Sequence, residues 1–244
     1  MSMNAAPHAT DPFLNHLLSH LPSREWKALE EHGTVVTLRQ AQVVFAEDEP
    51  VDLTYFPLTC IISMVAEMAN GDLCEYGCVG REGMLGLQIA LGAQPLRGRA
   101  LCQMGGEALR LNGPILRDLT TSGAAPELHR LLLRYAQATI NVLAQSAACN
   151  ALHSVPERTA RWLLMSGDRT GSNSFSLTQE FLAKMLGVRR ASVTNIAVNL
   201  QSQGIIKYRR SSIQVVNRDG LEAASCECYK LMRDEYALVY KRNF

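Results

Sequence analysis

The spacing of apolar residues changes character several times along the chain. Residues 12 to 33 read as helical, with Ser23 as an N-cap ahead of Arg24-Glu25-Trp26 and Gly33 as the stop. From Thr34 to about Leu111 the texture becomes short apolar runs at 35–38, 43–45, 53–56, 61–65, 101–104 and 108–111. Polar or glycine turns at 47–50, 70–72 and 105–106 separate them, which predicts a small antiparallel barrel or jelly roll. Such a barrel has room for one small ligand or is filled by its own side chains. A long helix follows, opened by Pro126-Glu127 and reaching about Leu152, roughly 38 Å at 1.5 Å per residue. Leu128, Leu131, Leu132, Tyr135, Ile140, Val142, Leu143 and Cys149 spread more than halfway round it. One stripe can face the barrel and a second a partner.

Ser154-Val-Pro-Glu157 has the pattern of a capping box, so a new helix starts there and runs to Gly167. Beyond it, Ser176 to Gly204 reads as two short amphipathic helices joined at Gly187. The second, about Arg190 to Gln203, turns Val193, Ile196, Ala197 and Leu200 to one side and Arg189, Arg190, Ser192, Asn195 and Asn199 to the other. The polar side has no acid. Arg can bond guanine bidentately, Asn adenine, and Ser a phosphate, so this helix suits a DNA major groove. Thr178 and Gln179 place a hydroxyl and an amide at the start of the first helix, where phosphate contacts are made. The segment Ile205 to Val216 predicts two strands around a basic turn, a wing carrying Lys207, Arg209 and Arg210. The tail from Asp219 predicts a helix that packs onto the DNA-binding domain.

Charge sharpens this picture. The chain of 244 residues is nearly neutral at +1, yet residues 154–218 carry +7 and the remainder −6. A locally basic third in a near-neutral protein fits a regulated DNA binder. An apolar content of 47% supports two domains. There is no membrane-length apolar run and no signal-peptide pattern at the first residues. Seven scattered cysteines then point to reduced thiols in a cytoplasm. Nothing assembles a nucleophile, base and pocket, so an enzyme is not expected, and Arg81-Glu82 reads as a solvated turn.

The order helix, barrel, long helix, winged helix-turn-helix resembles the Crp/Fnr family of bacterial transcription regulators over nearly the whole chain. The match is densest from Ser176 to Ile206; Gly71 and Gly80-Arg-Glu-Gly83-Met-Leu-Gly86 match more loosely, the latter at the family's phosphate cassette. The resemblance implies an α+β fold. Residues 1–124 form a cyclic-nucleotide-binding-like antiparallel β-roll (jelly-roll-like) sensor domain. Residues 125–153 form the dimerisation helix, and 154–244 the winged helix-turn-helix domain with its C-terminal helix. It further implies a homodimer on a two-fold symmetric site in double-stranded DNA, with RNA polymerase as a further partner and no membrane. Family members commonly read DNA with Arg, Glu and Arg. Here Arg190 matches the first, Ala191 replaces the Glu and Asn195 the second Arg, so a different half-site is expected.

The implied effector pocket involves Gly86, Leu87, Arg97 and Arg99. Cyclic-nucleotide binders carry Glu after the cassette glycine to take the ribose hydroxyl, and an Arg followed by a hydroxyl residue; Leu87 and Ala100 stand there instead. An unmatched ribose hydroxyl costs about 1–3 kcal/mol, so cAMP binding in the usual manner is not expected, and no other cofactor is indicated. The family's iron–sulfur scheme needs cysteines before Cys60, and there are none. Cys226 and Cys228, two apart on a helix, would point about 200° away from each other, which argues against a shared metal. Histidine spacing adds no metal site. The remaining alternative is an effector- or thiol-gated sensor whose winged helix binds protein rather than DNA.

Overall fold

A computed structural model describes residues 11–47, 49–92, 98–209 and 211–241. The N-terminal helical stretch is broken into a 3-10 turn (Pro12–Leu14), α1 (His16–Ser19) and α2 (Ser23–Glu30). The break has a cause. Asn15 caps α1 through its side-chain oxygen while its amide donates to the carbonyls of Pro57 and Gly83, at 3.0 and 2.8 Å, pinning the chain to the roll. Ser23 is the first helical residue, and Pro22 holds the cap position.

The roll comprises β1 (Thr34–Leu38), β2 (Val43–Phe45), β3 (Leu53–Pro57), β4 (Ile61–Glu67), β5 (Leu73–Val79), a short α3 (Leu87–Ala90), β6 (Arg99–Met104) and β7 (Gly106–Asn112). Its strands form two antiparallel sheets, β1-β7-β3 and β2-β6-β4-β5. All six strand runs seen in the sequence are present. The seventh, β5, shows no alternation in burial, six of its seven residues being half-buried. Gly71, at φ 83°, turns the β4–β5 hairpin.

After α4 (Gly113–Thr121) comes the long helix α5 (Pro126–Leu152). Its N-terminus lacks a local side-chain cap. Buried Glu25 supplies one from α2, accepting the N–H groups of Glu127 and Leu128 at 3.1 and 2.8 Å, where the helix dipole favours an anion. The C-terminal part contains α6 (Val155–Thr170), β8 (Ser174–Ser176), α7 (Gln179–Leu186), α8 (Arg190–Ser202), β9 (Ile206–Arg209), β10 (Ser212–Val215), α9 (Arg218–Ala223) and α10 (Cys228–Val239). Ser154 starts α6 as expected, its N–H bonded to the Glu157 carboxylate at 2.8 Å. The tail meets expectation in part, since α9 packs on α6, but α10 adds a contact that was not expected. The main contact of α10 is with α5, and its packing on α6 is secondary. Among the described residues, no helix is long and apolar enough to cross a membrane.

Candidate nucleic-acid interface

Helices α7 and α8 meet at Gly187, whose φ of 64° a side chain would strain. Burial of Leu182, Met185, Leu186, Val193, Ile196, Ala197 and Leu200 fixes the angle between them and decides which face of α8 points outward. That outward face carries Arg190, Asn195 and Asn199, all exposed, with Arg189 exposed at the cap position and Ser192 half-buried. Thr178 caps α7, accepting the N–H of Phe181 at 3.1 Å. Gln179 is less free to reach a ligand, because its carbonyl accepts the hydroxyl of Thr194 at 2.7 Å and braces α7 against α8. Thr194 is a positioning residue that helical spacing alone does not single out. Lys207 and Arg209 are exposed on β9, which pairs with β10 to form the wing. Arg210 lies outside the described residues. Tyr208 anchors the wing from behind, its hydroxyl donating to the Leu177 carbonyl at 3.0 Å.

Of the effector residues named from the sequence, the structure describes Gly86, Leu87 and Arg99, which lie on different elements. Gly86 opens α3 beside β3, and Leu87 is the first residue of that helix. Arg99 lies on the other sheet, paired with Glu67 at 2.8 Å. Arg97 lies outside the described residues. The cassette glycines serve protein packing: a Cβ at Gly83 would sit 2.2 Å from the Tyr135 ring, and one at Gly80 2.5 Å from the Cβ of Arg169. Neighbouring Glu82 is not in a solvated turn. It is 8% exposed and forms a 2.7 Å ion pair with Arg169 of α6, itself 6% exposed. The roll and the DNA-binding end are thus joined by a buried charge pair. Beside it lies a cleft of about 460 Å³ lined by His16, Arg81, Asp168, Arg233, Tyr236 and Tyr240 among others. Burial and the nearby Arg81 guanidinium hold the His16 imidazole below its ordinary pKa.

A second link runs through β5. Glu75 accepts the Ser63 hydroxyl at 2.6 Å and the Trp162 indole N–H of α6 at 3.0 Å. Although the residue as a whole keeps some surface, its carboxyl is enclosed, and burial raises its pKa. A raised folded-state pKa favours folding below the unfolded value and loses that advantage as pH climbs through the folded one. Neutral Glu75→Gln lacks this loss. Its melting temperature relative to wild type should therefore rise progressively from about pH 4.5 upward, as a pH series of thermal melts would record. Elsewhere burial pushes the Cys60 thiol up to about 12 and Cys102 to about 11, so both are inert packing groups at neutral pH.

Known proteins agree with this architecture. The family of Crp-like helix-turn-helix domains matches residues 157–224. The whole fold is similar to solved Crp/Fnr structures. FixK2 from Bradyrhizobium japonicum is 19% identical, covering 80% of this chain and 98% of its own, with a TM-score of 0.62. A CRP-family transcriptional regulator from Thermus thermophilus is 17% identical over 78% of this chain and 96% of its own, at 0.64. The c-di-GMP-responsive global regulator CLP of Xanthomonas campestris is 16% identical over 80% and 99%, at 0.61. No curated protein matches by sequence. The α+β architecture of antiparallel roll, long helix and winged helix-turn-helix expected from the sequence is the one found.

Proposed function

We propose that this chain is a homodimeric, sequence-specific DNA-binding transcription regulator that places α8 in the major groove and its wing along the backbone. The observation that carries the reading is the outward face of α8, with Arg190, Asn195 and Asn199 exposed and no acid among them, on a Crp-like helix-turn-helix domain. Arg190 reads a base edge, Asn195 favours adenine, and Thr178, Arg189 and Ser192 meet phosphates. Lys207 and Arg209 grip phosphate. Replacing either by alanine should weaken binding alike on all sequences and lower the slope of log K against log salt by about one unit per phosphate contact, so about two units for each substitution in a dimer. Binding isotherms across a salt series measure that slope.

Dimerisation is supported by α5. Leu133, Gln137, Ile140, Ala144, Ala147 and Ala151 alternate four and three apart along one exposed line, the spacing of a coiled-coil seam. Ile140, on that line, is 60% exposed and Leu133 49%, and apolar residues exposed along one line mark an interaction surface. Light scattering should give twice the 26.9 kDa chain mass for wild type and the single-chain mass for Ile140→Glu. The same wild-type protein should retard duplex fragments from its own genome selectively over competitor DNA. Retardation indifferent to sequence would contradict the reading. cAMP gating in the family's usual manner is not part of the proposal. Leu87 offers no acceptor to a ribose hydroxyl, and Tyr135 and Arg169 press on the cassette glycines.

A further inference from the structure

Cys226 does not belong to a helix. It lies in the turn between α9 and α10, and α10 begins at Cys228, so the helical spacing that would separate the two thiols does not apply. The turn brings both against the C-terminal end of α5, where Cys149 and His153 lie four residues apart on one side. The four donor atoms, three Sγ and one imidazole nitrogen, all fall within 4.8 Å of one another. Cys149 and Cys226 Sγ are 3.5 Å apart, and Cys228 Sγ is 3.5 Å from His153 Nδ1.

We infer that Cys149, His153, Cys226 and Cys228 form a tetrahedral Cys3His site for a single zinc-type divalent ion. Zn–S bonds of about 2.3 Å require sulfur atoms about 3.8 Å apart along the edges of a tetrahedron, close to the separations in this cluster. Three further observations point to a ligand rather than to a chance meeting of thiols. Nε2 of His153, the nitrogen turned away from Cys228, faces the Glu227 carboxylate at 3.3 Å, the carboxylate–histidine arrangement that orients a metal-binding imidazole. Gln145 Nε2 donates to Cys228 Sγ at 3.1 Å, a contact that suits a thiolate.

The third is charge. Three thiolates and a divalent ion leave one negative charge. Arg161, buried at 8% exposure, acts electrostatically on Cys149 and has no carboxylate at ion-pair distance among the described residues. One of its guanidinium nitrogens meets only the sulfurs of Met165 and Met232, and its Nε has no partner. A buried cation is costly without a counter-charge, and the loaded site supplies one. Binding replaces three S–H protons with the ion, so affinity should fall with acidity.

The ion would tie the end of α5 to the start of α10, next to the Ser154 joint from which the DNA-binding domain springs. That placement makes occupancy a control point for the orientation of α8; this consequence rests on the proposed function, whereas the site itself does not. The test uses reduced, full-length chain titrated with Co(II) as a spectroscopic probe. One equivalent should give the thiolate charge-transfer and visible d–d bands of a tetrahedral sulfur-rich site, and one equivalent of Zn(II) should abolish them. Cys228→Ser should lose the bands, and His153→Gln should shift them. Glu227→Gln, a largely exposed change that leaves folding intact, should weaken the ion about 10- to 100-fold. Cys74→Ser, a half-buried thiol outside the cluster, should change nothing. No bands, bands unaltered in Cys228→Ser and His153→Gln, or an iron–sulfur chromophore instead of a single ion would each overturn the assignment.

Discussion

Arg190→Ala is expected to remove sequence-specific DNA binding while leaving the fold untouched. A bidentate Arg–guanine contact discriminates by about 1–3 kcal/mol, and a symmetric dimer makes it twice, so the loss is about 2–6 kcal/mol, or at least ~30-fold in Kd. The side chain is exposed at the first turn of α8, and alanine is the better helix former there, so the melting temperature should not fall. Arg190→Lys separates charge from geometry. It keeps the phosphate attraction but not the planar fork, so non-specific affinity should survive while discrimination between sites declines. Competition binding against a specific and a scrambled duplex distinguishes these outcomes.

The second large effect lies at the junction of roll and DNA-binding domain. Arg169→Met leaves the Glu82 carboxylate buried, with the Gly80 N–H at 3.1 Å and no cation. Breaking a buried pair from one side costs about 3–5 kcal/mol. For a chain of this size that lowers Tm by roughly 6–20 °C. Adding Glu82→Gln to the same variant removes the stranded charge and should recover much of the loss, since the penalty comes from the uncompensated carboxylate rather than from a missing attraction. If the single and double variants melt together, the pair is not the cause. Because Glu82 belongs to the roll and Arg169 to α6, the pair also ties the roll directly to the helix that leads into the helix-turn-helix.

The DNA-binding end is legible in the sequence because its signals are local. Gly187, the spacing of Val193, Ile196 and Leu200, the Ser154 box and the basic turn each act within a few residues. The long helix is equally plain from its period. The features hidden from sequence depend on partners far along the chain. Glu25 caps a helix about a hundred residues away, and Glu82 meets Arg169 at a separation of 87. Strand β5 hides for a different reason: Glu75 and Gly77 interrupt its apolar positions, and its residues are uniformly half-buried rather than alternating. Cys226 and Cys228 mislead because the pattern starts α10 too early, and an error of two residues there reverses where a thiol points. Sequence spacing likewise does not reveal that Leu87 falls on α3 and Arg99 on β6.

The most direct measurement is selection of tight-binding sites from a random duplex pool, using the purified wild-type chain with no ligand added. A two-fold symmetric consensus with half-sites about one helical turn, ~34 Å, apart is the predicted result, and it should vanish when the selection is repeated with Arg190→Ala. Recovery of sequences with no shared motif, or of one motif equally with both proteins, would contradict the account.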